Sequence, residues 1–262
     1  MTSGSRSLAV AAAFVTVGWA AAVPAEAKKC PGDSVQVEKV CVDKYEASVW
    51  ETTDAKTIKK IKSGKLEDAL GLDLATQRGS TVDDYGAGCP DTGNDCTSFY
   101  AVSIPGVVPA RNLTWFQAAA ACRNAGKRLP TNQEWQTAAL GTPDPGTDDG
   151  VGDCNIASAG PVNTGSRSLC VSDTGAVDMV GNLWEWIADW GDVAAGCQLW
   201  PALYGSDLSC VGGDGTSGLA GALLRGGDFG AGTGAGVFAI SADLLTPAVS
   251  SVYFGFRCAR AL

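Results

Sequence analysis

The chain carries ten cysteines, Cys30, Cys41, Cys89, Cys96, Cys122, Cys154, Cys170, Cys197, Cys210 and Cys258, and no histidine. These two facts constrain the fold before any periodicity is read. An even set of cysteines in an exported chain closes into disulfides. A thiolate metal site is the competing reading, and the lack of any C-x-x-C pair and of histidine argues against it. Spacing suggests four local pairs, Cys30 with Cys41, Cys89 with Cys96, Cys154 with Cys170 and Cys197 with Cys210, which leaves Cys122 and Cys258 for each other. Export is read from the start of the chain, where Arg6 precedes an apolar run from Leu8 to Val23 and then Pro24-Ala25-Glu26-Ala27. That pattern predicts a signal peptide over residues 1–27 and a mature domain over 28–262. The run is shorter than the roughly 20 residues that span a bilayer, and no second run follows, so no membrane span is expected. The expected location is secreted, periplasmic or cell surface.

Net charge is −9, so no basic surface large enough to neutralise phosphates is expected, and a nucleic-acid partner is excluded on that ground. Without histidine, the commonest general base and the commonest transition-metal ligand are both missing.

Residues 36–50 alternate apolar and polar positions and predict a strand or hairpin. Residues 51–100 differ in kind, with the basic run KTIKKIKSGK and the turn-rich DDYGAGCPDTGNDC. They read as a surface insertion closed by a Cys89–Cys96 staple, and the lysine run as a solvated face in preference to a docking patch. Thr114 with Gln117 and Thr131 with Glu134 form two capping boxes, which predict helices running to about Asn124 and to Gly141. Cys122 falls on the inward face of the first. Strand-like runs follow near Gly181–Trp190, Ala222–Phe229, Gly236–Ser241 and Val252–Ala259. Helices in the middle and short strands at the end suggest an α+β domain with much irregular structure.

Four segments, AGKRLPTNQEW (125–135), DMVGNLWEW (178–186), LLRGGDF (223–229) and YFGFRCAR (253–260), together resemble the domain of formylglycine-generating enzymes, or sulfatase-modifying factors, and of the related sulfoxide synthases. The resemblance runs from about Val40 to Ala261. It implies a C-type-lectin-like fold, low in regular structure, in which a helix cysteine is tied to one in the last strand; this matches Cys122–Cys258. It also implies a calcium site formed by Asp178, the carbonyls of Gly181 and Leu183, and Glu185, a mixed oxygen set that suits Ca²⁺. The alternative is that Asp178 and Glu185 cap turns beside Trp184 and Trp186. Asn155 and Ile156 match the start of the family's other calcium site, whose completing loop is shortened here. Arg225 and Arg257 are expected to form buried ion pairs or backbone hydrogen bonds.

The resemblance further implies that copper would be held by two cysteines between the RGG segment and the final GFR. Here that stretch, Asp228 to Phe254, has none, and the iron-binding histidines of the sulfoxide synthases are absent as well. No redox metal and no catalytic residue are therefore assigned. The stretch is rich in small residues on a frame fixed at both ends, where recognition usually resides. Its C-terminal part also resembles the variable proteins of diversity-generating retroelements, which display a ligand-binding face on this fold. The expectation is an exported non-catalytic module for a protein or glycan ligand, with Asp228, Phe229, Thr233, Ser241, Asp243, Ser251 and Tyr253 as binding residues. The alternative is an enzyme of the same family with unrecognised chemistry.

Overall fold

In a computed structural model, residues 29–144, 146–191, 221–241 and 247–262 are described, together with Met1 and the backbone of two short strands at 198–199 and 208–210. The predicted signal peptide, the Cys197–Cys210 pair and Asp243 lie outside the described residues.

The chain opens with a hairpin, β1 (Ser34–Val37) and β2 (Val40–Asp43), followed by β3 (Ser48–Glu51). It continues through helix α1 (Ala55–Ser63), β4 (Thr76–Arg78) and β5 (Phe99–Val102). Helices α2 (Trp115–Asn124) and α3 (Asn132–Ala139) begin at Thr114 and Thr131, and both capping boxes close as the sequence predicts. The remaining strands are β6 (Trp184–Gly191), β7 (Gln198–Leu199), β8 (Leu208–Cys210), β9 (Gly221–Gly226), β10 (Gly236–Ser241), β11 (Phe254–Phe256) and β12 (Ala259–Ala261).

Among the described residues the strands form three sheets. The largest runs β11-β6-β9-β10-β8-β7, and two three-stranded sheets run β1-β2-β12 and β4-β3-β5. β12 pairs with β2, so the end of the chain is sewn to its first hairpin. Cys122, fully buried on α2, is bonded to Cys258 between β11 and β12, and three further disulfides join Cys30–Cys41, Cys89–Cys96 and Cys154–Cys170. This is the disulfide-rich α+β architecture expected. Among the described residues no helix is long and apolar enough to cross a membrane.

Residues 51–100 differ from the expected surface insertion. β4 and β5 both pair with β3, and Ile61, Leu72, Tyr85 and Phe99 are buried in the main core. The segment is fastened to α2 by polar contacts as well: Gln117 donates to the carbonyl of Cys89 at 2.7 Å, and Asn124 donates to that of Phe99 at 2.9 Å. Composition pointed to a loop because its polar residues serve turns, while its few apolar residues carry the packing.

The RGG motif has a steric cause. Gly226 and Gly227 have φ of 94° and 86°, and a Cβ on Gly227 would lie 2.5 Å from Ala235.

Cys122–Cys258 spans 136 residues of sequence, the longest of the four described disulfides, and chain-entropy arguments give such a closure about 5 kcal/mol. The double variant Cys122→Ala/Cys258→Ala should lose stability on that order in urea unfolding under oxidising conditions. A loss no larger than that for Cys30→Ala/Cys41→Ala would contradict the argument.

Candidate functional site

The segment from Asp228 to Phe254 is clamped at both ends. At one end Arg225, on β9, lies over the ring of Trp135 with its guanidinium carbon 4.8 Å from the centroid. It donates to the carbonyls of Val237 and Ala239, each at 3.1 Å, and to Gln136. At the other end Arg257 is fully buried. It donates through Nε and Nη2 to Glu185 at 2.6–2.9 Å, and to the carbonyls of Asp43 at 3.0 Å and Val177 at 2.9 Å. Both arginines thus serve the scaffold, as expected.

Between the clamps, Phe229 and Tyr253 stack with centroids 5.1 Å apart and planes inclined by 30°. Phe229 is buried and Tyr253 is 43 % exposed, so the pair presents one open ring on an anchored base. The Phe229 backbone is fixed by an N–H donated to the carbonyl of Asn182 at 3.0 Å and a carbonyl that accepts from Ser158 N–H at 2.8 Å. Asp228 is half-buried beside them. It accepts from Gly230 N–H at 2.7 Å and from the Trp184 side chain, while burial pushes its carboxyl above the usual range. Ser251 accepts from Tyr253 N–H at 3.3 Å. Asp228, Phe229, Ser251 and Tyr253 therefore belong to one neighbourhood. Thr233 is exposed on a separate turn at 232–234, and Ser241 ends β10 opposite Leu224, beyond Arg225.

The proposed calcium ligands are placed differently from a metal cage. Glu185 Oε1 and Oε2 accept from Arg257, and Oε2 also accepts from Trp135 Nε1 at 2.7 Å. Asp178 Oδ2 accepts from Gly165 N–H at 2.7 Å. Gly181, with φ of 74°, is pressed against Asn155, whose carbonyl oxygen would lie 2.4 Å from an added Cβ. Hard oxygen donors suit calcium, but these carboxylates are already engaged, and among the described residues no three acidic or cysteine side chains converge on a point. The two carboxylates of the expected set are thus turned to protein donors.

The positive charge at this place comes from Arg257. Sequence reading missed its other neighbour, Glu46, which is fully buried and accepts from Leu183 N–H at 3.0 Å and from Asn182 Nδ2. Burial, then the nearby charges of Asp178 and Glu185, hold the Glu46 carboxyl well above the usual range, and burial pushes Asp178 up to about 6. The only sequence signal for Glu46 was a carboxylate embedded in a strand-like apolar run.

Asn155, which matched the start of a second calcium site, meets a guanidinium. Arg167 Nη2 donates to Asn155 Oδ1 at 3.3 Å, and Nη1 pairs with Asp148 at 3.2 Å, with both side chains of that pair 5 % exposed. In the adjoining loop, Asp149 accepts from the N–H groups of Val151, Gly152 and Asp153 at 2.7–3.0 Å. These backbone donors hold its carboxyl down to about 2.

With this geometry established, comparison places the chain. The family model of the sulfatase-modifying factor enzyme 1-like domain matches residues 5–262, and the chain belongs to that family. It is 32 % identical over 105 residues to a formylglycine-generating enzyme of Thermomonospora curvata, covering 31 % of this chain and 33 % of that enzyme. It is 33 % identical over 94 residues to a hercynine oxygenase of Mycolicibacterium thermoresistibile, covering 32 % and 21 % respectively. The chain thus spans about a third or less of these curated relatives. Among solved structures, the P3c variant of the major tropism determinant is similar over 88 % of this chain and 53 % of that one, with a TM-score of 0.48 and 18 % identity. CarF is similar over 90 % and 95 %, with a TM-score of 0.42 and 14 % identity.

Two outcomes follow from the arginine-centred geometry. Chelation with EDTA should leave the melting temperature unchanged, whereas Glu185→Gln should cost about 3–5 kcal/mol by leaving Arg257 without its counter-charge. A chelator-induced fall in melting temperature would restore a metal to this place. For Asp149, a folded pKa below the unfolded value means that its stabilisation is present above about pH 4 and is lost as pH falls toward 2. Amide-exchange protection of Val151–Asp153 should fade over that window, and Asp149→Asn should abolish the dependence.

Proposed function

We propose that this protein is an exported, non-catalytic binding module whose ligand, a protein or a glycan, meets the face built on Asp228, Phe229, Ser251 and Tyr253. The observation that carries this reading is the exposed Tyr253 ring stacked on buried Phe229 at 5.1 Å, within the segment where a family oxidase would need copper thiolates. An anchored aromatic ring next to a carboxylate offers apolar contact and a directional acceptor at little entropic cost. Export is supported by the disulfides, which persist in oxidising compartments, and by the leader-like start of the sequence. The half-buried Asp228, its carboxyl raised by burial, favours a second reading, an enzyme of this family with acid–base chemistry in place of oxidation.

The two readings part in a direct experiment. Purified protein incubated with Cu(I) or Fe(II) and thiol should neither retain the metal stoichiometrically nor consume oxygen. In a glycan and envelope-protein binding screen, any captured ligand should bind at least tenfold more weakly to Tyr253→Ala, with circular dichroism showing that the variant stays folded. Stoichiometric redox-metal binding with oxygen uptake would overturn the module, and turnover of the captured ligand lost in Asp228→Asn would favour the enzyme.

A further inference from the structure

The lysine run expected to be a solvated face folds into a defined structure. α1 is capped at both ends, by Asp54, whose side chain accepts from Thr57 N–H at 2.7 Å, and by Gly64 in the left-handed region at φ 63°. Thr57 and Ile61 point into the protein, while Lys56, Lys59, Lys60, Lys62 and Lys65 are all exposed. Arg260 ties the end of the helix to β12 by donating to the carbonyl of Lys62 at 3.2 Å.

Lys56, Lys59 and Lys60 stand at i, i+3 and i+4, so they repel one another along one stripe of the helix. Among the described residues none of the five lysines forms a salt bridge. In a chain of net charge −9, five exposed lysines are thus gathered on one short segment, with Asp54 at its start beside Lys56. A turn packed beside α1 carries two leucines, Leu70 at 79 % and Leu74 at 67 % exposure. Glu67, Asp68 and Asp73 lie in the same turn, and Asp68 is directed to backbone, accepting from Leu70 N–H at 2.9 Å.

We propose that α1 and the adjoining leucine turn form a docking surface for an anionic phospholipid bilayer. Lysine ammoniums are compact point charges on flexible stems, suited to a diffuse field of headgroup phosphates more than to planar bidentate recognition. Their stems can lie along the interface while Leu70 and Leu74 reach the headgroup–acyl boundary. A soluble polyanion would use the lysines but give the leucines no apolar phase to enter. The surface is peripheral, built on elements separate from the Phe229–Tyr253 face, so loss of ligand binding there leaves it untouched.

The test is co-sedimentation of the full chain with vesicles of phosphatidylcholine, with and without 30 mol % phosphatidylglycerol. Binding is expected only to the anionic vesicles at low salt, and should be lost at 0.5 M NaCl, where charges on the surface are screened. Lys56→Gln/Lys59→Gln/Lys60→Gln should weaken it by roughly a hundredfold, taking the usual contribution of each lysine near a charged surface. Leu70→Ser/Leu74→Ser should weaken it by roughly tenfold, as expected for partial loss of apolar burial. Circular dichroism should show all variants folded, because the substituted side chains are exposed. No sedimentation with anionic vesicles, equal binding to neutral ones, or leucine variants that bind as well as the parent would overturn the proposal. Polyphosphate binding of equal strength that does not depend on the leucines would also overturn it, in favour of a soluble anion.

Discussion

Arg257 has no exposed surface, and taking its guanidinium out of water costs several kcal/mol unless every donor finds an acceptor. The chain meets that demand from three directions. Glu185 comes from β6, the carbonyls of Asp43 and Lys44 from the end of β2, and those of Val177 and Asp178 from the turn before the GNLWEW segment. The acceptors come from three separate segments, so the requirement for a satisfied guanidinium fixes the relative positions of the large sheet, the first hairpin and the final strand. The next residue is Cys258, whose N–H is held by Asp43 at 3.1 Å and whose sulfur is bonded to α2. Asp43 also pairs with Lys127 at 2.5 Å, and Lys127 with Asp33 at 2.7 Å, in a network almost wholly removed from solvent. Two buried cations thus flank the longest described disulfide.

This arrangement explains which parts of the protein could be read in advance. Capping boxes, helix ends, strand runs and local cysteine pairs are all properties of residues within a few positions of one another, and those readings hold wherever the residues are described. The glycines of the RGG motif were visible as a pattern, but the reason for them, the close approach of Ala235 to Gly227, depends on the β9–β10 packing. The pairings that failed to appear are long-range. Glu46 meets Asn182 across 136 residues, and Lys127 reaches Asp33 across 94. Nothing local marks such partners, since a buried carboxylate looks in sequence like an exposed one.

The binding residues show the same limit. Sequence alone presents a continuous segment as one face; among its described residues the two ends approach each other. Phe229 follows the RGG clamp and Tyr253 precedes GFR, so the clamps that fix the fold also bring those rings together. Thr233 and Ser241 lie on the excursion between them, and the strand that carries Ser241 runs away from the stack. Segment 51–100 departs from its sequence pattern in the opposite direction. Its turn-rich composition suggested a loop outside the core, but a few apolar residues and contacts from Gln117 and Asn124 were enough to make it part of the packing.

The distribution of stabilising contacts also accounts for how such a chain can lack oxidase thiolates without losing its fold. Stability resides in the clamps, where Arg225 stacks on Trp135 and Arg257 is saturated, and in the disulfide beside them. Between them, Thr233, Phe238, Val252 and Tyr253 are exposed. Substitution at such positions changes stability by a few tenths of a kcal/mol, far less than loss of a buried ion pair. The exposed positions are therefore free to change chemistry, while the residues that hold their backbone are not. A scaffold divided in this way separates what must be kept from what can be altered.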